Sequence, residues 1–167
     1  RLDSIVARPG AWTFDSLEKA IRTLVPSGMT NRREPYPGLH KAQSALGMEF
    51  AELEEEIVRG CRQTGQNIEL VLCSLGSLGG GNHFLEIDRG TQGEQYLSIH
   101  CGSRNFGLQI ANFHQQKAIE RFKHNQKIPE KFNTQLAWLE GEDAQAYARD
   151  MSVAQAFASL NRKVILE

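Results

Sequence analysis

A glycine-crowded stretch between strand-like runs is the feature that most constrains the fold of this chain. It reads SLGSLGGGNHFLEI over 74–87 and continues, after the turn DRGTQGE (88–94), to SIHCGSRNFG over 98–107. The runs HFLEI and YLSIH on either side of the turn are rich in β-branched and aromatic residues, which is typical of strands joined as a hairpin. Because glycine costs a folded chain conformational entropy, the cluster indicates either a loose turn or a backbone that approaches a bound group closely.

The hairpin predicts where two histidines lie. If Ile87 pairs with Tyr96, symmetry about the middle of the turn places His83 directly opposite His100. Opposed residues of an antiparallel pair have Cβ atoms about 4.5–5.5 Å apart on one face, so two imidazoles there can share a metal ion. Strand alternation sends Cys101 to the other face, and we do not count it as a ligand. Without a visible third ligand, a metal site and a purely structural role in the hairpin both stay open.

The glycines that precede the first histidine also have two interpretations. Gly79, Gly80 and Gly81 form either a flexible turn or a place where backbone N–H groups approach a phosphate. The run matches neither GxGxxG nor GxxxxGK[ST], which excludes a Rossmann fingerprint and a Walker loop. Arg104 stands just before a predicted helix, where backbone donors and a guanidinium group together suit an anion.

The rest of the chain predicts mainly helices around the hairpin. Apolar residues recur at helical spacing in four segments, 13–28, 42–63, 105–125 and 144–167. The run IELVLC (68–73) is predicted as a further short strand. One α+β domain, with short antiparallel strands and hairpins packed against amphipathic helices, is the simplest architecture.

The same helical spacing predicts which side chains of these helices are buried and which are exposed. In the last helix we expect an apolar stripe that faces the core, formed by Tyr147, Met151, Ala154, Ala158 and Ile165. His114 and His124 are isolated histidines on a polar helix, and we expect them on the surface.

Composition excludes some classes of protein. The 167 residues are 40% hydrophobic and contain no apolar run long enough to cross a membrane. The formal net charge of −1 gives no general support to nucleic-acid binding. Cys61, Cys73 and Cys101 are odd in number and widely spaced, which favours a reducing, cytosolic setting over a disulfide framework. The first residues, RLDSIVARPG, indicate the middle of a longer chain rather than a start.

Taken together, GGGNHFLEI and IHCGSRNFG resemble the RtcB family of RNA-splicing ligases. The family pattern is a glycine-rich run leading into Asn-His-Phe-x-Glu, followed by a strand that ends in His-x-Gly-Ser-Arg. The matching positions are Asn82, His83, Phe84, Glu86, His100, Gly102, Ser103 and Arg104. The later DMSVAQAFASLNR (150–162) is similar to the family's Ala-rich helix that ends in Asn-Arg.

The resemblance implies a fold, an activity and a set of site residues. The fold would be RtcB-like, and the enzyme would join RNA 3′-phosphate or 2′,3′-cyclic phosphate ends to 5′-hydroxyl ends, using Mn²⁺ and GTP. The RNA end would be activated with GMP, in cytoplasmic tRNA splicing or RNA repair, with archease as a possible partner. His83 and His100 would ligate Mn²⁺, and Ser103 and Arg104 would bind RNA or nucleotide phosphates. The guanylate would contact the run Asn82, His83, Phe84, Leu85 and Glu86, with Glu86 holding the guanine base.

The resemblance also implies that residues 1–167 form the central portion of one ligase catalytic domain. Further metal ligands would lie before Arg1, and a third metal-binding histidine and the GMP-carrying histidine would lie after Glu167. The isolated chain would then be inactive. Two other functions remain open, a metal-dependent phosphohydrolase or nuclease, and a non-catalytic module that binds nucleotide or RNA.

Overall fold

The computed structural model describes residues 2–7, 12–37, 50–123 and 133–167. In chain order, these ranges contain β1 (Leu2–Ala7), α1 (Phe14–Leu24), α2 (Phe50–Thr64), α3 (Ile68–Cys73), β2 (Phe84–Arg89), β3 (Gln95–His100), α4 (Arg104–Lys123), a 3₁₀ turn (Thr134–Leu136) and α5 (Gly141–Leu166). The predicted α+β class is confirmed. None of these helices combines the length and the apolar character needed to cross a membrane. The predicted helical positions 42–49, and His124, lie outside the described residues.

The main core lies between α2, α4 and α5. Leu53, Ile57 and Cys61 of α2 are fully buried, as their spacing of four residues predicts. Phe106 of α4 packs against Phe157 of α5 with 5.3 Å between ring centroids. Burying one such leucine or phenylalanine side chain contributes about 1.5–3 kcal/mol. This apolar packing fixes the three helices relative to one another.

The buried face of α5 differs from the predicted stripe. Val153, Phe157 and Leu160 lie in the core, whereas Tyr147 and Met151 are 38% and 41% exposed. The helix is 26 residues long and carries small or apolar residues on more than one side. Its spacing alone therefore does not decide which side α2 and α4 cover, and the prediction was wrong for the first half of the stripe.

The predicted strand at 68–73 is wrong, because these residues form the short helix α3. Gly65, at φ +72°, follows the end of α2. Asn67 then caps the new helix, since its side chain accepts a hydrogen bond from Leu70 N at 3.1 Å. A six-residue apolar run fits a buried helix as well as a strand, and here the cap decides between them.

The three strands form an antiparallel sheet in the order β1–β3–β2. One face of the sheet packs in a second, smaller apolar cluster that includes Ile99, Cys101 and Ile165, with Leu78 and Leu85 against it. As predicted, Cys101 leaves the face that carries His100.

The register of the hairpin is one residue away from the predicted one. Phe84, not His83, pairs with His100. The strands continue to a pair formed by Gly90 and Glu94, with Gly90 N donating to Glu94 O at 2.9 Å, which leaves a three-residue loop. Gly93 adopts φ +87° in that loop, as three-residue hairpin turns require. A loop with an odd number of residues is centred on a residue, whereas the predicted turn is centred on a peptide bond. Every cross-strand pair is therefore shifted by one residue.

Candidate functional site

A loop of residues 74–82, here called the glycine loop, connects α3 to β2. Gly76, Gly79 and Gly81 have φ of 76°, 91° and 73°, in the left-handed region that favours glycine. The loop is tied to the segment after α1, because Leu78 N donates to Pro26 O at 2.8 Å and Gly28 N donates to Gly79 O at 2.9 Å. The glycines therefore serve a defined backbone path rather than a loose turn.

The two motif histidines lie at the end of this loop and of β3. Their ring centroids are 6.3 Å apart and the ring planes are inclined by 57°. Phe84 stacks on His100, with 5.3 Å between the centroids and 14° between the planes. Because His83 precedes β2, strand alternation does not carry its ring to the opposite face. The rings are neighbours despite the shifted register.

Arg104 is the third side chain of the site and the first residue of α4. It has φ +55°, which is uncommon for a residue other than glycine. Its Nη2 donates to Gly28 O at 3.1 Å, while its buried Nε has no hydrogen-bond partner in the structure. Burial lowers the pKa of the guanidinium, which nevertheless stays charged at neutral pH. A cation whose buried Nε has no hydrogen-bond partner therefore lies beside His83.

The side chains of Arg104 and His83 lie directly against the backbone of Gly79. A Cβ at this position would overlap the Arg104 guanidinium and lie 2.6 Å from His83 Nδ1. At the neighbouring Gly80, a Cβ would meet only the Gly28 Cα, at an ordinary 3.6 Å. The close approach suggested by the glycine cluster thus involves side chains of the chain itself.

His83 has the properties of a neutral ligand. Burial lowers its pKa, a hydrogen bond from the ring to the Leu78 backbone acts in the opposite direction, and the charge of Arg104 lowers the pKa further. Its Nδ1 is buried and has no hydrogen-bond partner of good geometry. Divalent ions bind imidazole in its neutral form at about 2.1 Å, so the pair His83 and His100 fits a shared ion. Within the described ranges, no three His, Cys, Asp or Glu side chains converge, so the pair alone would provide only part of a coordination shell.

The site opens into a groove of about 880 Å³. His83, Arg104 and the backbone of Gly80 and Gly81 form one end of the groove. The amides of Gln66, Asn67, Asn105 and Gln109 line the rest, together with apolar side chains of α3 and α4. This lining offers many hydrogen-bonding groups and a single described cation, Arg104.

Comparison with known proteins decides the family. The family model described as tRNA-splicing ligase RtcB matches residues 12–167. The chain belongs to the RtcB family.

Individual RtcB relatives agree with this assignment. The RNA-splicing ligase RtcB of Escherichia coli K12 is 30% identical over 161 residues, which cover 90% of this chain and 38% of that protein. The tRNA-splicing ligase RtcB of Methanococcus maripaludis is 35% identical over 109 residues, or 56% of this chain and 22% of that protein. The RNA-splicing ligase RtcB of Mycobacterium tuberculosis is 32% identical over 113 residues, 58% of this chain and 26% of that protein. The chain thus spans less than two fifths of the length of these relatives.

Only some of the RtcB motif side chains converge with the histidines. Asn82 and Glu86 are exposed, and Glu86 pairs with Ser98 of β3. Leu85 packs in the second apolar cluster, on the other face of the sheet. Ser103 lines a different groove, between α4 and α5, and its Oγ lies tightly against Gly107. The structure therefore brings together His83, Phe84, His100 and Arg104, but not the side chains of Leu85 and Ser103.

The sequence analysis of this RtcB chain missed a buried amide. Asn161 of α5 is fully buried and bonds both the glycine loop and the turn after β3. The similarity of SLNR to the family's Asn-Arg helix end is the signal that points to this residue, although it does not indicate what the residue contacts.

The sequence analysis also placed His114 on the surface, which is wrong. The side chain is 2% exposed in the helical core, and its Nε2 lies 2.8 Å from Asp150 Oδ2. Asp150 further accepts hydrogen bonds from Arg59 at 2.7 Å and from Gln63 at 3.0 Å. Burial alone would raise the pKa of Asp150, but the hydrogen bonds from His114, Arg59 and Gln63 outweigh it and lower the pKa. A charged partner from another helix explains why a polar helix buries this histidine.

Proposed function

We propose that this chain provides the metal- and phosphate-holding part of an RNA ligase. The ligase would join RNA 3′-phosphate or 2′,3′-cyclic phosphate ends to 5′-hydroxyl ends after activation with GMP. The observation that carries the proposal is that His83 lies beside the ring of His100 and, over Gly79, beside the guanidinium of Arg104, in a chain of the RtcB family. The names of the relatives, RNA-splicing and tRNA-splicing ligase, support the reaction class.

The histidine pair would hold the metal, which we propose to be Mn²⁺. When bound, the ion neutralises phosphate charge and acts as a Lewis acid. The protein's own contribution is to keep His83 neutral by burial, so that its ring is available as a ligand. The stacked ring of Phe84 would hold His100 in place. Ligands from elsewhere in the full-length protein would complete the coordination shell.

Arg104 would bind a phosphate of the RNA end or of the nucleotide. Its buried Nε lacks a hydrogen-bond partner in the structure, and guanidinium N–H groups pair well with phosphate oxygens. The side chain is already fixed by its bond to Gly28 O, so little conformational entropy is lost when an anion binds.

The guanylate would lie near the start of β2. The exposed amide of Asn82 and the exposed carboxylate of Glu86 are available for a nucleotide, and a carboxylate can accept both ring N–H and amino hydrogens of guanine. Leu85 would take part only through its backbone, because its side chain packs in the second cluster. Ser103 would reach an RNA phosphate only from the neighbouring groove that it lines.

The balanced reaction consumes one GTP for each joint. A 3′-phosphate end, a 5′-hydroxyl end and GTP give a phosphodiester, GMP and pyrophosphate. We propose tRNA halves or broken RNA as substrates, archease as a possible activating partner, and the cytoplasm as the compartment, since the three cysteines are buried free thiols.

The test uses the full-length protein with radiolabelled GTP, Mn²⁺ and an RNA pair that carries 3′-phosphate and 5′-hydroxyl ends. A protein–GMP adduct and joined RNA are expected from the wild type. His83→Ala should abolish joining and lower the bound manganese. Arg104→Lys should lower joining about 10–100-fold, whereas Arg89→Lys, at an exposed position of β2, should leave it unchanged.

Two outcomes would contradict the proposal. Release of phosphate from the RNA end without any GMP adduct would identify a phosphohydrolase or nuclease. Binding of RNA or nucleotide with neither an adduct nor a product would identify a non-catalytic module.

A further inference from the structure

We infer that Asn161 is a positioning residue that holds together the glycine loop, which leads to His83, and the turn after β3, which follows His100. The inference rests on the proposed function, since it assigns Asn161 a part in shaping that same site. Asn161 lies near the end of α5 and is fully buried. It belongs to neither motif, yet its side chain contacts the loops that lead into both.

The amide of Asn161 uses its full hydrogen-bonding capacity. Its Oδ1 accepts from Gly76 N at 2.8 Å and from Ser77 N at 3.2 Å. Its Nδ2 donates to Ser77 O at 3.1 Å and to Gly102 O at 3.2 Å, and lies 3.2 Å from Cys101 Sγ. An amide offers two donors and two acceptor sites, and all four are occupied. A flipped amide would face its NH₂ toward two N–H donors, so the orientation is fixed.

These bonds join chain segments that are distant in sequence. Gly76 and Ser77 lie in the glycine loop that leads to His83, and Gly102 lies midway between His100 and Arg104. One side chain on a third element therefore fixes the separation of both loops. It does so through backbone groups of the loops rather than through their side chains.

Contacts with neighbouring side chains further restrict where the two loops can lie. Leu75 is fully buried on one side of the bonded residues. A Cβ at Gly76 would lie 2.7 Å from Val164 Cγ1 of α5, which shows how tightly the loop is pressed onto the helix. Arg162 adds a bond from Nη1 to Cys101 O at 3.1 Å. The amide of Asn161 bonds both loops at once.

The variant Asn161→Asp distinguishes the hydrogen bonds that position the loops from the packing of the core. The variant keeps the size of the side chain and an acceptor for Gly76 N and Ser77 N. When its carboxyl group is ionised, it has no donor, so the carbonyls of Ser77 and Gly102 both lose the N–H bonds of Nδ2. The turn after β3 is thereby released from the glycine loop, while the volume of the core is conserved.

The experiment measures the site with and without metal in the full-length protein. Mn²⁺ affinity is titrated by electron paramagnetic resonance, the ring signals of His83 and His100 are recorded by NMR in the metal-free state, and thermal unfolding is followed. The control is Val153→Ala, which removes a buried group of the same helix from the apolar core. A destabilised but correctly positioned site should behave like this control.

We expect Asn161→Asp to weaken Mn²⁺ binding about 10–100-fold and to shift both ring signals. Val153→Ala should lower the unfolding temperature while affinity and ring signals stay at their wild-type values. If Asn161→Asp does not fold, Asn161→Ser, which keeps one hydroxyl donor, takes its place and should show a smaller loss in the same direction. Unchanged affinity and ring signals, or equal losses in the Asn161 variant and the control, would overturn the inference.

The outcome is distinguishable from failure of the proposed function. If the wild type joins no RNA, the reaction is refuted, but the ring signals of the metal-free protein still report whether Asn161 positions the histidines. If the wild type joins RNA and the Asn161 variant leaves the rings undisturbed, only the positioning role is refuted.

Discussion

The helical core and the histidine site are held together by different kinds of interaction. In the core, apolar side chains such as Leu53 and Phe157 fill the space between α2, α4 and α5. In the site, backbone groups of the glycine loop bond to Asn161 and to the segment after α1. Apolar packing is non-directional and tolerates substitutions of similar volume, whereas hydrogen bonds and left-handed glycines tolerate few. Substitutions in the two regions should therefore fail in different ways.

The largest effect is expected at Gly79, where the backbone leaves no room for a side chain. Gly79→Ala forces a side chain into Arg104 and His83 at a residue with φ +91°. We expect the rate of RNA joining by the full-length protein to fall at least about 100-fold, because a displacement of about 1 Å at a catalytic site costs that much. Mn²⁺ affinity should fall with it.

Gly80→Ala is the matched control for this prediction. Its Cβ would make only an ordinary contact with Gly28 Cα, and joining should stay close to the wild-type rate. Equal losses at both positions would mean that the loop merely needs flexibility, and the contrast between site and core would lose its basis.

In the core, the largest effect is expected at the buried carboxylate. Asp150→Asn removes the charge that pairs with Arg59 and His114. Arg59 is partly exposed and keeps its ion pair with Glu56, so the loss should be about 1.5–3 kcal/mol of unfolding free energy, the range for a hydrogen bond to a charged group, measurable by denaturant titration. Mn²⁺ affinity should not change, because no described contact of Asp150 reaches the glycine loop. Glu142→Gln, at an exposed position of the same helix, should stay within about 0.5 kcal/mol; a similar value for Asp150→Asn would contradict the prediction.

The same carboxylate predicts how stability depends on pH. The folded-state pKa of Asp150 lies below its usual value, so its stabilising contribution is fully present above the unfolded pKa of about 3.9. The contribution is lost as the pH falls from there through the folded pKa. Denaturation followed from pH 6 to about pH 2 should show this loss, and Asp150→Asn should flatten the curve. A variant curve that parallels the wild type would exclude Asp150 as a source of acid sensitivity.

The smallest effect concerns the hairpin turn, which lies outside both regions. Gly93→Ala should lower the unfolding free energy by about 1–2 kcal/mol, because φ is +87°. Gly93→Asn should cost less, since asparagine tolerates the left-handed region better. Equal stability of the alanine variant and the wild type would favour the predicted even-numbered turn over the three-residue loop.

Sequence patterns predicted the features that follow from the local periodicity of apolar residues. The spacing of Leu53, Ile57 and Cys61 gave the buried face of α2, and the period of two in β2 and β3 placed Cys101 away from His100. Both rest on local periodicity, which one sequence contains. In the first half of α5, where small or apolar residues lie on more than one side, spacing alone selected exposed residues, because the buried side depends on partner helices.

The parts that were not predicted depend on single atoms or distant partners. The register of the hairpin depends on the left-handed backbone of Gly93, and the helix at 68–73 depends on the cap supplied by Asn67. The burial of His114 depends on Asp150, 36 residues later. The family resemblance named the histidines and Arg104, but nothing in their spacing shows that Asn161 holds them in place.

The bond between Gly76 and Asn161 has a consequence for the order of folding. The two residues are 85 positions apart, so the ribosome takes on the order of ten seconds to add the second after the first. During that interval, the glycine loop has its sequence but not its partner. We expect the loop to acquire its final shape only once α5 has docked, and the amide hydrogens of Gly76 and Ser77 to gain protection from exchange with solvent last during refolding.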